Sequence, residues 1–302
     1  MEKETHVAII TGGTGTEREV SLKSALNLKE LLRDLYDISV FDFPADLSKF
    51  LAQHKDFHCA IPMMHGKGGE DGELQGFLET LQVPYLFSGI EAHVIGVNKE
   101  LSKKLVAKHG VQGATAIIVG ADSLVAFEKP CVIKPLSGGS SVATAIVKST
   151  DQFEDALKKA LLVGEKVMIE DFIEGDEFTV GIIEENGVPV ALPVIAIKAK
   201  DGFFDYDSKY KTESLAEEIC PAPINEALTR QLQELALTAH TVIGCRHMSR
   251  SDFIVDKNGT PWFLEINTIP GMTATSLVPK AIQVSKRSLP QIFTQWIDNV
   301  GK

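Results

Sequence analysis

A chain of 302 residues with 44% hydrophobic and 24% charged side chains has an ordinary globular make-up and is long enough for two or three domains. Its net charge of −11 and lack of any long Lys/Arg run argue against a nucleic-acid surface, and no uncharged apolar run approaches the ~18 residues of a membrane span. Cys59, Cys131, Cys220 and Cys245 stand singly and no secretory apolar segment follows Met1, so a reduced, cytoplasmic setting is expected.

Thr5 to Thr11 reads as a buried strand, Gly12 to Thr16 as a glycine turn, and Leu22, Ala25, Leu26, Leu28 and Leu31 as the apolar positions of a helix. These open an α/β unit. A dinucleotide fingerprint needs a third glycine where Arg18 stands, so a nicotinamide oxidoreductase has little support. Glu17 and Ser21 begin the helix, either as a capping pair or with Glu17 offering its carboxylate to a substrate ammonium. Ile38 to Phe43 and His58 to Met64 are further strands. The second runs into a loop, His65 to Gly72, at the strand end where α/β domains bind ligands. A helix from Leu74 to Leu81 and the strand-like Tyr85 to Phe87 complete a first domain ending near Asn98.

Beyond it, Asn98 to His109 reads as a helix opened by Lys99, with another helix from Gln152 to Leu162. Thr115 to Val119, Cys131 to Lys134, Ala143 to Val147 and Val167 to Glu170 read as strands. Phe178 to Glu184 and Val188 to Ile197 are strand-rich, and Asn225 to Ile243 is a helix. Alternating strands and helices followed by antiparallel hairpins predict an α/β part followed by an α+β part. Asp201 to Ala222 has no clean period, and its ~20 residues exceed an ordinary connection, which predicts a lid.

Ser251 to Val255 alternates like a strand, and Thr260 to Asn267 resumes the alternation after Asp256 to Gly259. With Asn258-Gly259 as a two-residue hairpin loop, Asp252 faces Glu265 and Arg250 faces Asn267. Directly opposed side chains lie within ~5 Å, and opposed like charges invite a hard divalent cation held by oxygen, magnesium in particular if phosphate supplies further ligands. Lys134-Pro135 with Ser137 to Ser141 follows a strand directly, and glycines, serines and a lysine there make a phosphate flap without the Walker pattern. Glu170 to Glu177 gives a strand end, a turn and a new strand, where backbone groups could meet an adenine edge and Glu177 a ribose.

These ordered motifs together resemble the D-alanine–D-alanine ligases of the ATP-grasp group along essentially the whole chain. They are Gly12-Gly13-Thr14 with Glu17 to Leu22, His65-Gly66 with Gly69 to Gly72, Lys134-Pro135 with Gly139 to Ser141, Lys209-Tyr210, Arg250-x-Asp252, and Glu265-x-Asn267-Thr268 with Pro270 to Thr273. The resemblance implies α/β then α+β in a three-lobed ATP-grasp architecture, with ATP held between the second and third lobes. It divides the chain into a substrate domain at 1–98, a central lobe at 99–183, and a C-terminal lobe at 184–302 that carries the metal site and the lid at 201–222.

Residue by residue, the resemblance implies that Lys99, Lys134, Gly139, Ser140 and Ser141 hold phosphates, and that Glu170, Phe172, Ile173 and Glu177 hold adenosine. Asp252, Glu265 and Asn267 bind two Mg²⁺ ions, for which Mn²⁺ is a substitute. Glu17 receives the ammonium of the first D-alanine beside His65 and forms a hydrogen-bonded set with Ser140 and Tyr210. Lys209, Ser276 and Leu277 receive the second carboxylate, while Arg250 and the N–H of Gly271 stabilise the tetrahedral oxyanion. The implied reaction joins two D-alanines through an acyl phosphate and supplies peptidoglycan precursor, in a cytoplasmic homodimer without nucleic-acid or membrane partners. D-lactate as second substrate, against which Lys209-Tyr210 speaks, or another ATP-grasp carboxylate-amine ligation is the nearest alternative, and a nucleotide-binding regulator without catalysis is a second.

Two positions depart from the family pattern. Gly138 stands where a glutamate is usual and Ala143 where a glycine is usual. A glutamate restored at 138 is expected to tighten the flap on ATP.

Overall fold

The computed structural model describes residues 5–138, 143–199 and 216–301. The chain opens with β1 (His6–Gly12), α1 (Arg18–Leu32), β2 (Asp37–Phe43), α2 (Leu47–Gln53) and β3 (Cys59–Pro62), whose strands form a parallel sheet in the order β2-β1-β3. Val7, Ala8, Ile9 and Ile10 are wholly buried, the unbroken apolar run expected of a parallel strand covered on both faces. Arg18 stands where a dinucleotide fold places glycine. Its guanidinium donates to Asp42 on β2 (Nη1 2.7 Å, Nη2 2.5 Å) and to the Gly13 carbonyl (3.2 Å), tying the glycine turn to the sheet.

Next come α3 (Glu73–Thr80), α4 (Ile90–Val97) and α5 (Lys99–Ala107). The sequence reading missed α4, whose near-continuous apolar character carries no clear helical period. Tyr85 makes only an isolated bridge to Ala60. Asn98 caps α5, its side chain accepting from the Glu100 and Leu101 N–H groups, so Lys99 is the first helical residue.

A four-stranded antiparallel sheet, β4-β7-β5-β6, is built from β4 (Ala116–Gly120), β5 (Cys131–Pro135), β6 (Ala145–Val147) and β7 (Lys166–Asp171), with α6 (Thr150–Val163) packed on it. The larger sheet runs β11-β10-β8-β12-β13, with β9 also on β8. Its strands are β8 (Gly175–Glu185), β9 (Val188–Ala191), β10 (Ile195–Ala199), β11 (Ala216–Ile219), β12 (Met248–Asp256) and β13 (Pro261–Asn267). α4, α5 and α7 (Glu226–Ile243) pack on this sheet. The expected 183/184 division runs through β8, which among the described residues pairs with β9, β10 and β12 of the larger sheet. By pairing, the two sheets part at 172–174.

Of the expected lid, 201–215 lies outside the described residues. Ala216 to Ile219 is an edge strand, too short and too charged to read as one from sequence. Two terminal helices, α8 (Leu277–Val284) and α9 (Leu289–Asn299), also went unread, and they return the chain to its first sheet. Phe293 and Trp296 meet Phe87 edge-on, and Tyr36 donates to Asp298 at 3.2 Å. One apolar core thus joins the first sheet to the end of the larger lobe.

Candidate active site

The expected pairing of Asp252 with Glu265, and of Arg250 with Asn267, is present, but the turn that sets it is not the expected one. Asp256 N–H donates to the Thr260 carbonyl, enclosing a three-residue loop of Lys257, Asn258 and Gly259 with Gly259 at φ +80°. From Val255 opposite Pro261 to Phe253 opposite Phe263, the register is therefore one residue off that of a two-residue loop. A bulge between Asp252 and Phe253, in which Leu264 is the extra residue, restores it. Asp256 explains the longer loop: its carboxylate accepts from the N–H groups of Asn258 and Thr260 and from the Trp262 indole.

The larger sheet consequently presents two rows on one face. Thr179, Asp252 and Glu265 form one, and Gly181, Arg250 and Asn267 the other. Asp252 is 5% exposed and its charge is satisfied within the protein. Thr179 donates to Oδ1 at 2.5 Å, and Arg250 grips both oxygens at 3.0 and 2.9 Å. Glu265 lies 3.4 Å from the Lys99 ammonium, and Asn267 accepts from the Ile269 N–H at 2.9 Å. Among the described residues no group of three His, Cys, Asp or Glu is arranged to hold a metal. Two carboxylates and an amide on one face are nonetheless an all-oxygen set, which suits a hard cation that takes its remaining ligands from phosphate or water.

These rows form one wall of a polar cleft of about 340 Å³. Besides Lys99, Arg250, Asp252, Glu265 and Asn267, it is lined by Glu17, His65, Glu177, Gly271, Ser276 and Leu277 of the expected set. Glu17 makes no side-chain cap to α1, so the capping reading fails for it. Ser21 instead donates to the Glu17 carbonyl and accepts from the His65 N–H. Glu17 turns toward Gly66, where an added Cβ would stand 2.5 Å from Oε2. Burial raises the Glu17 pKa and so does Glu265, against the pull of Lys99 and Arg250.

His65 is 5% exposed, and burial holds its pKa near 4, so its ring is neutral at physiological pH. That ring reaches Ser24 Oγ at 3.4 Å, and the same hydroxyl accepts from the Met272 N–H. Asn27 donates to the Met272 carbonyl at 2.6 Å. One face of α1 thus fixes the loop containing Gly271. Ser276 and Leu277 begin α8, whose N-terminus faces the cleft.

Lys134 and Glu170 lie outside the cleft lining and hold each other. Lys134 Nζ is 2.5 Å from Glu170 Oε1, and Lys103 donates to Oε2. Burial pushes the Glu170 pKa up, but Lys134 and Lys103 outweigh it and keep the group a carboxylate. Burial, helped by Lys134, lowers the Lys103 pKa to about 8. Phe172 and Ile173 occupy the link between β7 and β8, with the Lys148 ammonium over the Phe172 ring at 5.2 Å. Gly139, Ser140, Ser141, Lys209 and Tyr210 lie outside the described residues.

The flap's flanks are described. Gly138, whose carbonyl accepts from Lys99 Nζ at 2.7 Å, has φ +111°, and Ala143 has φ +57°. A glutamate at 138 therefore carries a backbone cost, because that conformation penalises any side chain, and this cost opposes the benefit expected from the family pattern. Sequence reasoning also missed Thr179, Lys103 and Glu70. Lys103 is signalled by its place four residues after Lys99 on one helix face. Glu70 lines the cleft at 6% exposure, accepts from the Gly66 N–H at 2.7 Å, and is pushed up to about 8 by burial and then by Glu17.

A parallel α/β unit followed by two antiparallel sheets, with the cleft on the larger, is an ATP-grasp architecture. The family model described as D-ala D-ala ligase C-terminus matches residues 106–298. The D-alanine–D-alanine ligase of Maridesulfovibrio salexigens is 37% identical, covering 97% of each chain. The crystal structure of that from Bacillus anthracis superposes with a TM-score of 0.85 at 30% identity, over 97% of this chain and 96% of that one. A structure of the Bacillus anthracis ligase complexed with ATP gives 0.82 at 26% identity, with the same coverage. The chain belongs to the D-alanine–D-alanine ligase family.

Proposed function

We propose that this chain joins two D-alanine molecules into D-alanyl-D-alanine at the expense of ATP, through an acyl phosphate. The observation that carries the reading is the convergence on one cleft of Asp252, Glu265, Asn267 and Arg250 from the larger sheet, Lys99 from the start of α5, and Glu17 from the start of α1. One group of side chains suits phosphoryl transfer, and the other suits an amino acid.

Glu17 receives the ammonium of the first D-alanine, with neutral His65 bordering that subsite. The bound carboxylate attacks the γ-phosphorus of ATP, displacing ADP and leaving an acyl phosphate. Lys99 and Lys134 attract the phosphates, Gly139, Ser140 and Ser141 cover them, and Glu170, Phe172, Ile173 and Glu177 hold adenosine. Asp252, Glu265 and Asn267 hold Mg²⁺, two ions by family resemblance or Mn²⁺ in its place, which when bound supplies charge neutralisation at the transferring phosphoryl group. Ser276 and Leu277 at the α8 N-terminus, with Lys209, take the second carboxylate. The second amine, once deprotonated, attacks the acyl carbon. Arg250 and the Gly271 N–H stabilise the oxyanion, and phosphate leaves. Ser140 and Tyr210 link Glu17 to the second subsite.

The lobes proposed are 1–98, 99–183 and 184–302, the last division moved to 172–174 to follow strand pairing. Among the described residues no helix is long and apolar enough to cross a membrane. A cytoplasmic homodimer supplying peptidoglycan precursor completes the proposal. ATP, Mg²⁺, D-alanine and D-lactate in equal amounts, with mass analysis of products near neutral pH, test it. Mainly dipeptide is expected, and a depsipeptide majority would overturn the substrate assignment.

A further inference from the structure

Lys103 is a buried cation to which the reaction so far gives no task. It lies one turn beyond Lys99 on α5 and is 7% exposed, as is Lys134, while Glu170 between their ammonium groups is 3% exposed. Val132 faces Glu170 and Lys134 faces Met168 across β5 and β7, so Lys134 and Glu170 are diagonal neighbours on one face of the four-stranded sheet. Lys103 reaches them from another layer, because α5 packs on β13 and α7. One ion pair thus ties α5, packed against the larger sheet, to the four-stranded sheet.

A buried carboxylate stripped of every counter-ion is strongly disfavoured. For Lys134 to turn toward a phosphate, Glu170 has to keep another cation. Lys99 stands on the cleft side of α5, against the Gly138 carbonyl and Glu265, where it too meets the phosphates. We propose that Lys103 is a positioning residue for nucleotide binding: the standing counter-ion of Glu170, which holds that carboxylate in place and frees Lys134 for the phosphates of ATP. This rests on the nucleotide roles proposed for Lys134 and Glu170.

Calorimetric titration of the full chain with ADP and Mg²⁺, alongside KM for ATP and for D-alanine, tests it. Lys103→Met is expected to weaken ADP binding and raise KM for ATP by at least roughly tenfold, with KM for D-alanine within about twofold, and Lys103→Arg is expected to recover most of the loss. In a Glu170→Gln background, where no carboxylate remains to be held, Lys103→Met is expected to change ADP affinity by less than about twofold. That background also serves if the single variant does not fold, since the charges then balance. An undiminished loss there, or normal ADP binding by Lys103→Met while Lys134→Met is weakened, would overturn the inference. Normal ADP binding by both Lys134→Met and Glu170→Gln would instead remove the nucleotide reading beneath it.

Discussion

Asp252 lies opposite Glu265 only because Leu264 is an extra residue in β13. Without that bulge the three-residue turn would set Asp252 against Leu264 and send Glu265 to the other face of the sheet. A local irregularity beside the two acids therefore maintains the oxygen cluster.

Asp252→Asn and Glu265→Gln are each expected to lower turnover at saturating Mg²⁺ by at least ~10²-fold, since each removes a negative charge where cation and phosphate meet. They should differ in stability. Asp252 is the buried partner of Arg250, whereas the Glu265 side chain is 29% exposed, so only Asp252→Asn should clearly lower Tm. Steady-state kinetics and thermal unfolding of the two variants check both points, and near-normal turnover in both would remove the cluster's role.

Gly66→Ala should damage the first amino-acid subsite selectively. The backbone there has φ +73°, and the new methyl would meet the Glu17 carboxylate. Misplacing Glu17 is expected to lower kcat/KM for D-alanine by at least about tenfold while KM for ATP stays within about twofold. Equal effects on both constants would point to general distortion.

The flap flanks give opposite outcomes for two substitutions. Ala143→Gly relieves a left-handed residue, which costs about 1–2 kcal/mol for an L side chain, against about 0.5–1 kcal/mol of glycine entropy, so unfolding should shift to slightly higher denaturant. Gly138→Glu places a side chain at φ +111° and should raise KM for ATP. A lower KM would show that the family's usual glutamate outweighs the backbone cost.

Glu70 makes stability depend on pH. Its folded pKa of about 8 lies above the ordinary carboxylate value, so its contribution is fully present at acid pH and lost as pH rises toward 8. Glu70→Gln does not titrate and still accepts from the Gly66 N–H. Relative to the wild type it should gain stability between pH 5 and 8, by no more than about 1.4 kcal/mol per pH unit. Denaturant unfolding at pH 5, 6.5 and 8 measures the difference, and a constant difference would show that Glu70 stays ionised throughout.

Much of this was legible because period and chemistry coincide. β1, the 225–243 helix and the 252/265 pairing announce themselves through apolar runs, helical spacing and strand alternation. The bulge at Leu264 was not, because it arises from how Asp256 folds the turn. The membership of β8 in the larger sheet was not legible either, because a strand's partners are set by tertiary packing and leave no mark in its own residues. Lys103 and Thr179 act through side chains on other elements, so spacing alone could not join Lys103 to Glu170 or Thr179 to Asp252.

The acyl phosphate is the centre of the account, and the fate of one oxygen tests it most directly. With D-alanine carrying ¹⁸O in its carboxylate, turnover in the presence of ATP and Mg²⁺ is predicted to give inorganic phosphate bearing one ¹⁸O per dipeptide formed. The oxygen that attacks phosphorus leaves with it when the amine attacks carbon. Dipeptide accompanied by phosphate free of ¹⁸O would contradict the mechanism.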